Sequence, residues 1–138
     1  MLRLCFVMLS CFWLVSAKAL PAVVDYVYDG DTFSGRVMVT PDISVGVRVR
    51  LINVDTPEIH GQCDAEREMA QNARQALRDM LPSGTQVQLE RIKDDKYLGR
   101  IDANVILPDG RDVGMVLIER GLGRPYKGGK RRAWCGNK

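Results

Sequence analysis

Val45-Gly46-Val47-Arg48-Val49-Arg50-Leu51-Ile52-Asn53-Val54-Asp55-Thr56-Pro57-Glu58 carries the pattern that decides the fold. Val45, Val47, Val49 and Leu51 alternate with Gly46, Arg48 and Arg50, the two-residue period of a strand with one face in an apolar core. The same parity sends Arg50 away from the valine face, toward solvent or a site. The stretch then ends in two acids, Asp55 and Glu58, split by Thr-Pro. A plain turn accounts for Asp and Pro in that place. An arginine near the end of the strand with carboxylates just beyond it offers a site as the alternative, though on this stretch alone the turn is the simpler reading.

Working outward, residues 23–39 read as two strands around Tyr28-Asp29-Gly30-Asp31-Thr32, with Asp-Gly as the turn signal, and Thr40-Pro41-Asp42 breaks the next connection. Residues 64–81 read as a helix. Met69, Ala73, Ala76, Leu77 and Met80 form an apolar stripe at helical spacing, which is core rather than a cofactor box. Asp64 is the expected N-cap, Glu66 and Glu68 fall in the first turn, Arg74 and Arg78 later, and Pro82-Ser83-Gly84 stops the helix. Thr85, Val87 and Leu89 alternate with polar neighbours, and Ile101, Ala103, Val105 and Leu107 do so again before the turn Pro108-Asp109-Gly110. Asp112 is expected to cap a short helix through Arg120, closed by Gly121. Short strands with a central helix and one or two short helices predict a mainly β, α+β domain. A five-stranded Greek-key barrel of the OB type fits that inventory.

With 46% hydrophobic and 27% charged residues among 138, the chain has the composition of one soluble domain. Residues 1–19, MLRLCFVMLSCFWLVSAKA, stand apart. Arg3 precedes an apolar run from Leu4 to Val15, and Ala17-Lys18-Ala19 is a small-x-small cleavage site, the pattern of a secretory signal peptide. The run is shorter than the roughly 20 residues of a comfortable membrane span, a retained anchor being the alternative. Cleavage after Ala19 leaves a secreted or periplasmic domain, 20–138, with no stable membrane association expected and nothing that demands more than a monomer. It removes Arg3 and Lys18 and no acid, so the formal net charge of +3 falls by two and says little about partners. The distribution says more. From Arg120 to Lys138 there are seven Lys or Arg and no acid, making the tail from about residue 121 either a solvated end or a polyanion-binding edge.

Cys63 and Cys135 remain once the leader is gone. In an exported chain a single remaining pair suggests a disulfide, with two free thiols as the alternative. The bond would staple the basic tail near residue 63. His60, the one histidine, reads as a surface residue rather than a ligand or base.

Three acids, Asp31, Asp55 and Glu58, sit at strand ends or turns. Carboxylates brought together repel each other, so their coexistence favours a bound cation, and hard oxygen ligands suit Ca²⁺ or Mg²⁺. A reaction on a phosphodiester must neutralise charge on the phosphoryl oxygens and activate water. Guanidinium groups suit the first task and a free carboxylate the second. Arg50, Asp55 and Glu58 meet these needs within one strand and its turn, and Arg100 lies in a second charged turn, Asp94-Asp95-Lys96-Tyr97-Leu98-Gly99-Arg100.

Taken together, Tyr28-Asp29-Gly30-Asp31-Thr32, then Arg50-Leu51 through Val54-Asp55-Thr56-Pro57-Glu58, then Asp95-Lys96-Tyr97 with Gly99-Arg100 resemble the staphylococcal (micrococcal) nuclease family. The motifs follow that family's order and spacing over about residues 23–126. The resemblance implies an OB-fold, Ca²⁺-dependent nuclease that cleaves DNA and RNA, single strands preferred, to leave 3′-phosphates. Carried over by position, Asp31 and Asp55 would ligate Ca²⁺ through carboxylates and Thr56 through its backbone carbonyl. Glu58 would orient or deprotonate the attacking water, and Arg50 and Arg100 would bind the phosphate in its transition state. Lys96 and Tyr97 would contact a neighbouring phosphate, and Tyr126 would pack near a base or sugar. The alternative is a non-catalytic OB-fold nucleic-acid-binding module. Two departures stand out. Leu98 is an extra residue between Tyr97 and Gly99, and the chain ends in a basic segment with Trp134 and Cys135 rather than a further long helix. That ending resembles a bacterial exported subgroup. Trp134 either stacks bases beside its cations or covers the barrel beside a disulfide.

Overall fold

The computed structural model describes residues 18–136, so the leader expected over residues 1–19 lies outside it except for Lys18 and Ala19. In chain order the elements are β1 (Leu20–Val27), β2 (Thr32–Thr40), β3 (Ile43–Leu51), β4 (Val54–Asp55), α1 (Asp64–Met80), β5 (Gln86–Asp94), β6 (Arg100–Ile106), α2 (Val113–Glu119) and β7 (Arg124–Pro125). The alternating stretch is β3. It pairs antiparallel with β2, placing Phe33 opposite Val49 and Thr32 opposite Arg50, and parallel with β6, placing Arg48 opposite Arg100. β5 pairs with both β6 and β1, which closes the sheet into a barrel of order β1-β2-β3-β6-β5. This five-stranded closed barrel with two helices is the OB-type α+β architecture that the strand inventory predicts. Closure removes the unpaired edges that an open sheet of this size would present.

Phe33, Leu51, Leu77, Leu89 and Leu117 are fully buried and, with Val24, Val49, Val87 and Val105, fill the barrel and its helical cover. Each such side chain contributes about 1.5–3 kcal/mol on leaving water. The buried face of α1 is Ala70, Ala73, Ala76 and Leu77, with Met69 and Met80 only half-buried. Small residues on that face let the helix approach the β1–β2 turn closely. A Cβ on Gly30 would lie 2.8 Å from the Cβ of Ala73 and 2.9 Å from Oγ1 of Thr56. Only glycine fits there.

Local structure departs from the sequence reading at three places. Cys63, not Asp64, is the N-cap of α1 and makes no side-chain cap bond. Glu66 does that work instead: it is buried, and its carboxylate accepts the backbone N–H of Glu58 at 3.3 Å and of Gln62 at 3.0 Å. An acid at the third helical position can reach back to orphaned N–H groups, as in a capping box. β5 runs past Glu90 to Asp94 through a register shift at Arg91, which takes φ +52°. The chain also makes a second, two-stranded sheet, β4 with β7, in which Asp55 faces Arg124. α2 follows expectation: Asp112 accepts the Met115 N–H at 3.1 Å, and Gly121 takes φ +70° just beyond the helix. No helix among the described residues is long and apolar enough to cross a membrane.

Candidate active site

The opening stretch shows how the acids are placed. Asn53 adopts φ +65°, a conformation that Asn tolerates better than most residues, and this breaks β3 before the chain resumes as β4. Val54 and Asp55 are then both buried, Asp55 being 2% exposed, while Glu58 beyond Pro57 stays exposed. Asp31 comes from the β1–β2 turn. Its N–H donates to Oδ1 of Asp29 at 3.1 Å, and its carbonyl accepts the Leu51 N–H at 2.8 Å. That second bond ties the turn to the end of β3. Acids remote in sequence thereby share one corner of the barrel.

An open cleft of about 710 Å³ runs over this corner and is lined by Asp31, Arg50, Glu58, Lys96, Tyr97, Arg100 and Tyr126. Seven of the sequence-predicted residues therefore meet. Asp55 and Thr56 are buried beside the cleft rather than lining it. Strand parity delivers Arg50: Nη2 lies 3.5 Å from Oδ2 of Asp31, and the guanidinium carbon lies 5.8 Å from the centre of the Tyr126 ring. Arg100, at the start of β6, gives Nε to Oδ2 of Asp95 at 2.7 Å and packs 4.4 Å from the Tyr97 ring centre. Its Nη groups pair with no carboxylate among the described residues, which leaves a fork for an anion. A second groove of about 570 Å³, lined by Arg48, Tyr97, Leu98, Gly99 and Arg100, carries on from the first. Leu98, the extra residue, is fully exposed at its rim, and Arg48 lies 4.7 Å over the Tyr28 ring.

The basic tail is tied to the body, while Lys127, Lys130 and Arg132 stay exposed. Cys135 is bonded to Cys63, and the guanidinium of Arg124 stacks 3.7 Å from the Trp134 ring centre while Nη2 lies 3.4 Å from Oδ2 of Asp55. Trp134 is half-buried beside the disulfide, with Arg124 against its ring. Gly128 and Gly129, at φ +94° and +84°, turn the arm back over the cleft. There Arg131 touches Asp31, Asp55 and Glu58. Sequence reasoning missed Arg124, Arg131 and Glu66 as parts of this corner. One signal for Arg131 was present: a Cys63–Cys135 bond brings the residues just before each cysteine together, and Glu58 and Arg131 are among them.

Electrostatics follow the burial. Desolvation, reinforced by the Asp29 charge and opposed by Arg50, pushes Asp31 up to about 6. Burial also works on Asp95, but hydrogen bonds from the Arg100 side chain and the Tyr97 backbone overcome it and hold that carboxyl at about 2. Asp102, beside it, is raised by burial and by its hydrogen bond with Asp95. Burial disfavours the charge on Arg131, yet Glu58, Asp55 and Asp31 more than offset it, so its pKa is raised.

The donor set fits a hard cation. It consists of carboxylate oxygens, and Oδ1 of Asp55 is buried without a hydrogen bond even though Nε of Arg131 lies 3.0 Å away. Residues 48–134, well over half of the chain, match the family model described as staphylococcal nuclease homologue. The chain belongs to that family. The matched span holds Arg50, Arg100, Asp55, Glu58 and the C-terminal arm up to Trp134, stopping just before Cys135, and begins after the turn that carries Asp31. The barrel supplies that turn to the rest of the site. No match is found among curated proteins. Staphylococcal nuclease homologues are generally nucleases, so a nuclease-like or nucleic-acid-binding function, with nucleic acid as the ligand class, follows for this member.

Proposed function

We propose that this chain is an exported, Ca²⁺-dependent, sugar-non-specific nuclease that hydrolyses DNA and RNA phosphodiester bonds to 3′-phosphate products. One observation carries the reading: Asp31 and Glu58 line a single open cleft with two strand-borne guanidinium groups, Arg50 and Arg100, and Asp55 lies buried beside it. A binding module needs the cations, but it has no use for acids buried beside them.

Asp31 and Asp55, with the backbone carbonyl of Thr56, hold the Ca²⁺ in this reading. Bound there, the ion supplies charge neutralisation at the phosphate and positions water. Arg50 and Arg100 take the non-bridging phosphoryl oxygens, whose charge grows as water attacks. Glu58, exposed at the cleft wall, accepts the proton of that water. The water oxygen bonds to phosphorus, the bond from phosphorus to the 5′ oxygen breaks, and the leaving oxygen takes a proton from solvent. Tyr126 offers its ring face to a base or sugar, Lys96 and Tyr97 reach a neighbouring phosphate, and Arg48 on Tyr28 extends the positive track. These contacts address backbone and ring faces, which favours single strands and carries little sequence information. Export rests on the leader pattern of residues 1–19, and a secreted product starting at Leu20 would be seen by mass spectrometry of the culture fluid.

The deciding assay incubates the purified protein with single-stranded DNA in Ca²⁺ or in chelator, beside Glu58→Gln. Calcium-dependent cleavage lost in Glu58→Gln is the expected result. Intact DNA retained equally with and without Ca²⁺ would identify the non-catalytic binding module instead.

A further inference from the structure

Every acid that the proposed function assigns to cation or water is touched by one cationic side chain of the same chain. Arg131 places Nε 3.0 Å from Oδ1 of Asp55 and Nη2 3.7 Å from Oδ2 of Asp31, with Nη1 on Oε1 of Glu58. The match is good in charge and poor in geometry. Oδ1 of Asp55 takes no hydrogen bond from the nearby Nε, and the Asp31 contact is too long for one. A guanidinium donates only within its own plane, whereas a hard cation such as Ca²⁺ takes oxygen ligands in a flexible geometry.

The anchors of the arm do not include Arg131. The arm is held by the Cys63–Cys135 bond, by Arg124 on Trp134 and Asp55, and by the Tyr126 hydroxyl donating to the Gly129 carbonyl at 2.6 Å. The Arg131 side chain is 36% exposed, so it can swing toward solvent while those contacts stay made.

We propose that Arg131 is a resident counter-ion that competes with the divalent cation for Asp31 and Asp55 while it also holds Glu58, and that the Cys63–Cys135 bond sets how strongly it competes. This rests on the metal reading above. Guanidinium and cation draw on the same oxygens, so each excludes the other. The apparent cation affinity then falls by the fraction of molecules in which Arg131 has withdrawn. The disulfide keeps the arm near the acids at an effective concentration on the order of millimolar, and cutting it dilutes the competitor.

Calorimetric titration of the oxidised protein with Ca²⁺ tests this. Arg131→Gln should tighten Ca²⁺ about tenfold. Arg132→Gln removes the same charge from the same arm without a carboxylate contact and should shift affinity less than about twofold. The double variant Cys63→Ser/Cys135→Ser keeps every charge and should also tighten Ca²⁺. A second readout needs no catalysis: Arg131→Gln should lower the Tm of the chelated protein and leave the Ca²⁺-saturated Tm unchanged. Unchanged or weaker Ca²⁺ binding in Arg131→Gln, or a gain no larger than that of Arg132→Gln, overturns the competition. A Cys63→Ser/Cys135→Ser protein that folds and binds Ca²⁺ no tighter removes the part given to the disulfide. If neither the native protein nor any variant binds Ca²⁺, the metal reading fails as well. Binding with no effect of Arg131→Gln sinks the competition alone.

Discussion

Arg50 and Arg100 enter the cleft from barrel strands, whereas Arg131 enters it from the C-terminal arm and Arg124, on β7, meets Asp55 beside it. The functional group is the same, but its anchorage and its partners differ. The strand arginines are aimed by the pleat of β3 and β6 and held sideways by acids, Arg50 by Asp31 and Arg100 by Asp95. Part of each guanidinium therefore faces the open cleft. The arm arginines meet the acids directly, Arg124 at Asp55 and Arg131 at all three. Arg124 is set by β7 pairing with β4, but Arg131 lies beyond that sheet on a segment tied down by the disulfide and by the stack of Arg124 on Trp134. Groups aimed by the ladder suit work that needs fixed geometry, such as stabilising a transition state. Groups on a tethered arm suit a role that requires leaving.

Substitutions can break this contrast. Arg50→Ala or Arg100→Ala should lower kcat/KM on single-stranded DNA about a thousandfold, near 4 kcal/mol in the barrier, with an unchanged circular dichroism spectrum. Arg124→Ala should fall well short of that in the same assay. Equal losses would mean that the strands confer no special role. Opening the 72-residue span between Cys63 and Cys135 with paired serines should cost about 3–4 kcal/mol in urea unfolding. A loss below about 1 kcal/mol would show the arm to be held without the bond. Arg124→Ala, which leaves Asp55 to Arg131 and strips the face of Trp134, should cost about 2 kcal/mol by the same measurement.

The smallest effect concerns Asp95. Its folded pKa lies near 2, below its ordinary 3.8, so the stability it contributes is present above about 3.8 and lost as the pH falls through about 2. Asp95→Asn should flatten that part of the acid unfolding curve and free the Arg100 side chain, read as a modest rise in KM with little change above neutral pH. An acid curve identical to that of the native protein would show that Asp95 does not hold Arg100.

Much of this was legible because it is local. The alternation in Val45–Leu51 predicts both the strand and the outward parity of Arg50, and Asp112 with Gly121 predicts both ends of α2. The motifs around Asp31, Asp55 and Arg100 stand out because turn residues and charges interrupt apolar strands. What stayed hidden depends on contacts across the chain. Glu66 looks like an ordinary first-turn acid until the loop before α1 folds onto it, and the cationic run after Arg120 looks solvated, as most such runs are.

The sequence by itself determined the barrel, the set of acids and arginines, and the family, because periodicity and motif spacing are properties of the chain alone. Only the tertiary structure decided that β4 pairs with β7 and that Arg131 rests among Asp31, Asp55 and Glu58. Charge has no periodicity that would name its partner. Which cation meets which carboxylate is set by barrel closure, by two glycines that turn the arm, and by a disulfide that joins it to the start of the central helix.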